Sequence, residues 1–253
     1  MTGPSADDTV SVLDRMTQIL QAFDHDDRGI ALSDLARRSG LPKSTVSRLV
    51  ATLVQQRYLE RDGRRIHLGL RVFELGQLAR EPRELRMVAL PILVQLRDKT
   101  RENVHLAIPD GRELVCVAAV RGRTDALSRV GMGVRLPLHA TALGKAVLAY
   151  APPQVVEDAF AAGLASLTPY TITDDARLRR QLTDIRAGAL AIEQREFASD
   201  AAGIAVPVFT APGRLAAALS VSGLADEFDI EGIAPVLRGA AAALCRRLSA
   251  PPR

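Results

Sequence analysis

The sequence predicts an α+β protein of two domains, and three observations support this prediction. A chain of 253 residues is longer than one average domain. Its first third has the spacing of a helix-turn-helix followed by a short hairpin. The remainder alternates strand-like and helix-like segments, which is typical of an α/β domain with helices packed on a sheet. Apolar residues make up 47% of the chain, enough for two cores.

Composition limits the class of protein. No apolar run reaches the ~18 residues that a membrane helix needs, and the acidic N-terminus lacks the apolar segment of a signal peptide. We therefore expect a cytoplasmic protein without a membrane partner. Cys116 and Cys245 lie far apart among apolar neighbours, so buried thiols are expected, with a disulfide as the alternative. The histidines lack metal-site spacing, and neither a metal nor another cofactor is expected; they are His25, His67, His105 and His139.

The N-terminal segment predicts three helices. Apolar residues recur every three or four positions from Val12 to Phe23, as on one face of an amphipathic helix. Ser33 is expected to cap a short second helix, and Gly40 suits the left-handed position just beyond its end. A third helix of about 42–56 follows this turn.

The exposed face of the third helix carries short hydrogen-bond donors and basic groups near its N-terminus. A helix laid in a major groove needs such side chains to reach base edges and phosphates. We therefore predict that this helix contacts DNA through Lys43, Ser44, Thr45, Ser47 and Arg48. The alternative is an ordinary two-helix hairpin with a solvated polar face.

A basic hairpin follows the third helix. Asp62-Gly63 is a tight-turn signal between two short extended runs, and Arg61, Arg64 and Arg65 crowd its tip. Such a wing can reach phosphates or the minor groove. Positions 33–71 hold nine basic residues against three acidic ones, a local surplus that favours nucleic acid as the partner. A composition rich in surface arginine is the alternative explanation.

The C-terminal part offers two candidate ligand contacts. Ser220 and Ser222 are two apart in a predicted strand, so both hydroxyls face one side. Thr141–Gly144 opens a predicted helix whose first N–H groups can accept a carboxylate. Either feature alone is more often a solvated face or an ordinary helix start. Further along, Thr173 is expected to cap another helix, and a hairpin is expected around Ala211–Gly213.

The sequence resembles the IclR-type bacterial transcriptional regulators. The stretches that carry the resemblance follow the family's order from about Val12 to Leu248: Gly40–Leu49, Arg129–Gly131, Leu136–Ala146, Ala191, Glu196, Ile204–Phe209 and Ala217–Gly223. The resemblance implies a GAF-like effector domain, a homodimer or dimer of dimers on double-stranded operator DNA, and a small organic acid as effector. The predicted domain ranges are 9–70 for the winged helix-turn-helix, 71–98 for linker helices and 99–250 for the effector domain.

Positions that match the family's effector pocket are Ala142, Leu143, Glu193, Gly203, Ser220 and Ser222. Two of them depart from the common pattern, because Glu193 stands where an Asp is frequent and Gly203 where Cys or Ser is common. These departures indicate a wider pocket or shifted polar partners, so a relative's ligand does not carry over.

The residues leave two rival functions to compare. An enzyme fused to a basic domain lacks support, because Gly144-Lys145-Ala146 is not a phosphate-binding loop and Ser220–Gly223 lacks the leading Gly of a nucleophile elbow. We assign no catalytic residue and expect no enzyme, although His139 could serve as a base. An architectural DNA-binding protein without a ligand would leave the Ser220 and Ser222 face without a use.

Overall fold

The computed structural model describes residues 11–24, 27–123, 130–211 and 213–250. Its residue contacts divide the chain into two compact units, Met1–Arg80 and Glu81–Arg253. The domain ranges inferred from the sequence stay a prediction. Three positions named above, His25, Arg129 and Pro212, lie outside the described residues.

The first unit is a winged helix-turn-helix. In chain order its elements are α1 (Val12–Gln21), β1 (Ile30–Ala31), α2 (Leu32–Ser39), α3 (Lys43–Gln55), β2 (Leu59–Asp62), β3 (Arg65–Leu68) and α4 (Leu70–Gly76). The three strands form an antiparallel sheet in the order β1-β3-β2. One apolar cluster fills the space between helices and sheet, with Leu35, Val46 and Ile66 among its fully buried members.

The turn between α2 and α3 confirms one local prediction and corrects another. Gly40 ends α2 in the left-handed conformation, with φ of 69°. Ser33 does not cap α2, because Ala31 occupies that position and no side chain caps the helix. The reason is β1: Ile30 and Ala31 are held extended by pairing with β3, and the helix starts directly after them.

The second unit combines one sheet with helices. Its elements are α5 (Arg80–Thr100), β4 (Asn103–Asp110), β5 (Glu113–Val120), β6 (Arg135–Pro137), α6 (Ala142–Leu148), α7 (Pro153–Ala161), α8 (Asp175–Arg186), β7 (Ala191–Gln194), β8 (Ala201–Ala211), β9 (Arg214–Leu224) and α9 (Ile230–Ser249). The sheet is antiparallel, in the order β6-β5-β4-β9-β8-β7. The predicted α+β class is confirmed.

The two faces of this sheet differ in side-chain size. Large residues such as Ile204 and Leu219 point to one face and pack in a core with α5 and α9. Small residues such as Ala205 and Ala218 point to the other face and pack in a core with α6 and α8. Because neighbours along a strand face opposite ways, the same strands serve a filled core on one face and leave room on the other.

Helix α8 starts one residue later than the sequence suggested. Asp174, and not Thr173, is its N-cap, and an Asp174 carboxylate oxygen accepts the N–H of Arg177 at 2.6 Å. A carboxylate at this position also interacts favourably with the helix dipole. Among the described residues, no helix combines the length and the apolarity needed to cross a bilayer.

Candidate functional site

The outer face of α3 is free of protein contacts that would hide it. Lys43, Ser44, Ser47 and Arg48 are exposed, whereas Thr45 is half-buried. The opposite face is anchored in the core, because Val46, Val50 and Leu53 are buried. The structure therefore presents four of the five predicted side chains to solvent on one side of a rigidly packed helix.

The wing places three arginines near its tip. Arg61 lies on β2 and pairs with Ile66, Arg64 lies in the turn, and Arg65 is the first residue of β3. All three arginines are exposed, but Arg65 differs from the others because its guanidinium donates to the backbone carbonyl of Gly29 at 2.7 Å. Arg65 therefore also ties the wing to the segment that precedes β1.

Ion pairing separates the basic residues of this unit into two groups. Arg38 donates to both carboxylate oxygens of Asp27, at 2.7 and 3.0 Å, and Arg37 pairs with Asp34 at 3.4 Å. Within the part of the chain that the structure describes, no such partner engages the side chains of Lys43, Arg48, Arg61 and Arg64. These four cations lie on α3 and the wing, where phosphates would meet them.

A cavity lies between α6 and the small-residue face of the large sheet. Its empty space, open mouth included, is about 300 Å³. All six residues that the resemblance assigned to the effector pocket line it: Ala142, Leu143, Glu193, Gly203, Ser220 and Ser222. These six residues, up to 80 positions apart in the sequence, therefore line the same cavity.

Strand register explains why these residues meet. Glu193 on β7 is the partner of Gly203 on β8, and Gly203 is the partner of Ser222 on β9. One step along the same face, Ser220 is the partner of His105 on β4. These rows run across the sheet directly below α6, so residues from four strands face the cavity, and β7, β9 and β4 contribute polar side chains.

Gly203 keeps the floor of the cavity open. A Cβ added at this position would lie 3.2 Å from the Cβ of Ser222 and 3.3 Å from the carbonyl oxygen of Val221. Contacts of this length require the neighbours to shift. The absent side chain therefore accounts for space between β7 and β9.

Glu193 is the acidic group of the cavity. Its Oε1 accepts the N–H of Phe197 at 3.2 Å, and its Oε2 accepts the N–H of Ala142 at 3.4 Å. Burial raises the pKa of this carboxyl to about 7, against the lowering effect of the two backbone donors. The first N–H of α6 is therefore already engaged by the protein, and the N–H of Gly144 donates to the Thr141 hydroxyl.

Ser220 and His105 supply neutral polar groups. Ser220 is 3% exposed and lines the cavity. Burial lowers the pKa of His105 to about 4, although a hydrogen bond to the Val130 backbone opposes this effect. His105 is consequently uncharged at neutral pH.

A buried ion pair holds α6, the helix that covers the cavity, in place. Lys145 on α6 donates to Glu196 at 2.6 Å and to the carbonyl of Ile192 at 3.0 Å. The Thr171 hydroxyl donates to the backbone carbonyl of Glu196 at 2.7 Å. These contacts fix α6 against β7 and the segment after it.

Several cavity residues were not predicted from the sequence. They are His105, Val130, Leu136 and Phe197; Thr141, at the helix start already named as a candidate contact, completes the lining. One sequence feature could have identified His105. Asn103 and His105 are polar residues two apart in a strand, as Ser220 and Ser222 are, and the two pairs lie opposite each other in β4 and β9. Cys116 and Cys245 are free thiols outside this lining; Cys116 is buried and Cys245 half-buried.

Comparison with known proteins agrees with this architecture. The family model of the IclR helix-turn-helix domain matches residues 12–63, and the model described as bacterial transcriptional regulator IclR C-terminal matches residues 78–249. The HTH-type transcriptional regulator XynR of Escherichia coli is 30% identical over 249 residues, covering 96% of this chain and 98% of XynR. The HTH-type transcriptional repressor AllR of Klebsiella pneumoniae is 32% identical over 223 residues, covering 87% and 82%.

A solved structure is also similar. It is a crystal structure of an IclR homologue from Microbacterium hydrocarbonoxydans complexed with 4-hydroxybenzoate, with a TM-score of 0.83 and 33% identity. The match covers 94% of this chain and 99% of that chain. A winged helix-turn-helix joined to a sheet domain with a small cavity defines a DNA-binding transcriptional regulator. The chain belongs to the IclR family of bacterial transcriptional regulators.

Proposed function

We propose that α3 and the wing bind operator DNA, with α3 in the major groove. The observation that carries this proposal is the cluster of exposed cations without an ion-pair partner on these two elements, beside the exposed short donors of α3. Lys43, Ser44, Thr45, Ser47 and Arg48 would contact base edges and phosphates, and Arg61, Arg64 and Arg65 would contact the backbone beside the groove. A protein that acts on bacterial promoters would work in the cytoplasm.

Arg48 tests the reading of bases. Replacing Arg48 by Ala should weaken operator binding by roughly 1–3 kcal/mol and relax sequence preference, if the guanidinium reads a base edge. Arg37→Ala is the matched control, because Arg37 is exposed but paired with Asp34. Binding is measured by fluorescence anisotropy on operator and scrambled DNA. Equal weakening on both sequences would assign Arg48 to a phosphate, and no weakening would exclude α3 as the reader.

We infer that the cavity binds a small organic acid that changes DNA affinity. The cavity combines apolar walls with a few convergent polar groups, as small-molecule sites do. The Microbacterium relative is complexed with 4-hydroxybenzoate, a small organic acid. A coupling of ~1–3 kcal/mol between effector and DNA suffices to change occupancy by 5–150-fold.

Gel-shift titration tests the sensing role. The operator complex is titrated with a panel of small carboxylic acids, and at least one should change the apparent affinity at least ~5-fold. The variant Ser220→Ala should lose most of this response while binding DNA normally. If no acid changes the affinity for the chain's own promoter, sensing of acids is excluded.

We propose that the working form is a homodimer or a dimer of dimers. Helix α4 and its flank expose large apolar side chains, including Leu70 (53%), Phe73 (60%) and Leu78 (73%). Several large apolar side chains exposed within one short segment favour an interaction surface there. Light scattering should show dimers or tetramers, and Phe73→Asp should shift the population towards monomer. A wild-type monomer at micromolar concentration would overturn this assignment.

A further inference from the structure

Among the described residues, the cavity is lined by an acidic side chain but by no cationic one. Glu193 is the carboxyl group in its lining, and no Lys or Arg side chain of the described residues lines it. The hydroxyls of Ser220 and Ser222 and the ring of His105 are the other convergent polar groups. A ligand carboxylate entering this space therefore meets a second carboxyl group without an intervening cation.

The charged groups around Glu193 do not supply that cation. From α6, Lys145 attracts the Glu193 charge, but its ammonium group is bound 2.6 Å from Glu196. From the segment after β7, Glu196 adds a second negative charge, and from α8, Arg177 acts on Lys145. From β4, His105 is neutral because burial lowers its pKa to about 4. Lys145 is therefore already paired with Glu196 and does not neutralise Glu193.

Two ionised carboxylates in contact repel each other strongly in a buried site. The repulsion disappears when one of them holds a proton, because a carboxylic acid then donates a hydrogen bond to a carboxylate. A small free acid has a pKa of about 4 and stays ionised in neutral solution. Glu193, by contrast, has a pKa raised to about 7 by burial, so it is the group that takes the proton.

We propose that this cavity selects singly charged carboxylic acids and binds each together with one proton from solvent, which Glu193 holds and donates in a hydrogen bond to the ligand carboxylate. The inference rests on the proposed acid-sensing function and deepens it. Ser220 and Ser222 supply the remaining donors. A second ligand carboxylate would find no partner, so diacids are disfavoured. The sensor therefore responds to acid and proton together.

The test is calorimetric titration of the full chain with benzoate, 4-hydroxybenzoate and lactate at about pH 6, 7 and 8. The dissociation constant of a bound acid should rise about tenfold between pH 6 and 8. The corresponding amides, which carry no charge, should bind with unchanged affinity over the same range. Titration in two buffers of different ionisation enthalpy should show uptake of about one proton per acid at pH 8. Terephthalate, the diacid counterpart of 4-hydroxybenzoate, should bind at least ~10-fold more weakly.

The matched variant is Glu193→Gln, whose amide can donate permanently where the protonated acid donates. It should bind the acids with no proton uptake and no pH dependence. Circular dichroism checks its fold; if the variant does not fold, the wild-type pH profile and proton count decide alone. Binding of acids without pH dependence, or terephthalate binding as tightly, overturns this inference and leaves the proposed function standing. Failure of every acid at every pH overturns the proposed function, and this inference with it.

Discussion

The ammonium nitrogen of Lys145 lies 2.6 Å from Oε1 of Glu196, and the lysine side chain has no exposed surface. The other carboxylate oxygen, Oε2, is buried without a hydrogen-bond partner in the described structure. Burial lowers the pKa of Lys145, and Glu196 opposes that change by stabilising its charge. The pair joins the first turns of α6 to the segment after β7, two of the elements that enclose the cavity.

Breaking this pair should destabilise the second unit. Lys145→Met leaves the Glu196 carboxylate buried without its partner, at an expected cost of about 3–5 kcal/mol in the free energy of unfolding. The double variant Lys145→Met/Glu196→Gln should recover part of that loss because no charge is left buried. Urea unfolding followed by circular dichroism measures both. An unchanged single variant would show that water or relaxation compensates the charge.

Glu193 should make the unliganded protein lose stability as pH rises. Its folded-state pKa of about 7 lies above its ordinary 4.5, so the folded state binds the proton more tightly. The resulting stability is fully present below about pH 4.5 and is lost as pH rises through 7, by roughly 3 kcal/mol.

The difference between wild type and Glu193→Gln isolates this effect in urea unfolding at about pH 5 and 8. The subtraction is needed because His105 acts in the opposite direction: its folded pKa of about 4 lies below the ordinary 6.5, so its contribution is lost as pH falls. A wild-type-to-variant difference that stays constant over this range would refute the assignment of a raised pKa to Glu193.

Filling the space at Gly203 should weaken ligand binding without unfolding the protein. In Gly203→Ala the new methyl group must push against Ser222 and the backbone of Val221. We expect a loss of about tenfold in affinity, or ~1.4 kcal/mol, for any acid that the wild type binds. Gly239→Ala is the control, because a Cβ there meets nothing within 4 Å. Equal affinities for both variants would place the ligand away from Gly203.

The two neighbouring arginines of the wing should behave differently. Arg64→Ala removes an unengaged cation, so it should weaken binding to all DNA sequences and lower the salt slope by about 1. Arg65→Ala also removes the hydrogen bond to the carbonyl of Gly29, so it should lower thermal stability as well. Anisotropy at several salt concentrations and a melting curve separate the two effects. Identical melting curves would mean that the Gly29 contact contributes nothing measurable.

Long periodic patterns made much of this fold predictable. The 13 residues of α3 carry a complete apolar stripe, and the alternating serines of β9 define one face of a strand. The strands that the sequence did not reveal, β1, β6 and β7, have only two to four residues. A pattern of period two cannot be recognised over such lengths, and these strands are defined by their pairing partners.

The cavity was predictable only in part, and the reason is distance along the chain. Ser220 and Ser222 are identified by their spacing, and Ala142 and Leu143 lie in the predicted helix start. The family resemblance added Glu193 and Gly203. His105 joins them because β4 pairs with β9, and Glu193 meets the N–H of Ala142, 51 positions away. Both relationships depend on strand register and helix placement, which local periodicity does not encode.

The unequal faces of the large sheet also constrain how relatives of this chain can diverge. Substitution at Gly203 alters only the cavity side, while Ile204 and Val208 stay buried in the core beneath. Losing or gaining one residue in β8 would instead exchange the faces, sending bulky side chains into the cavity and small ones into the core. Ligand preference can therefore change through single substitutions on the cavity face, whereas a change in the length of β8 would disrupt both the core and the cavity.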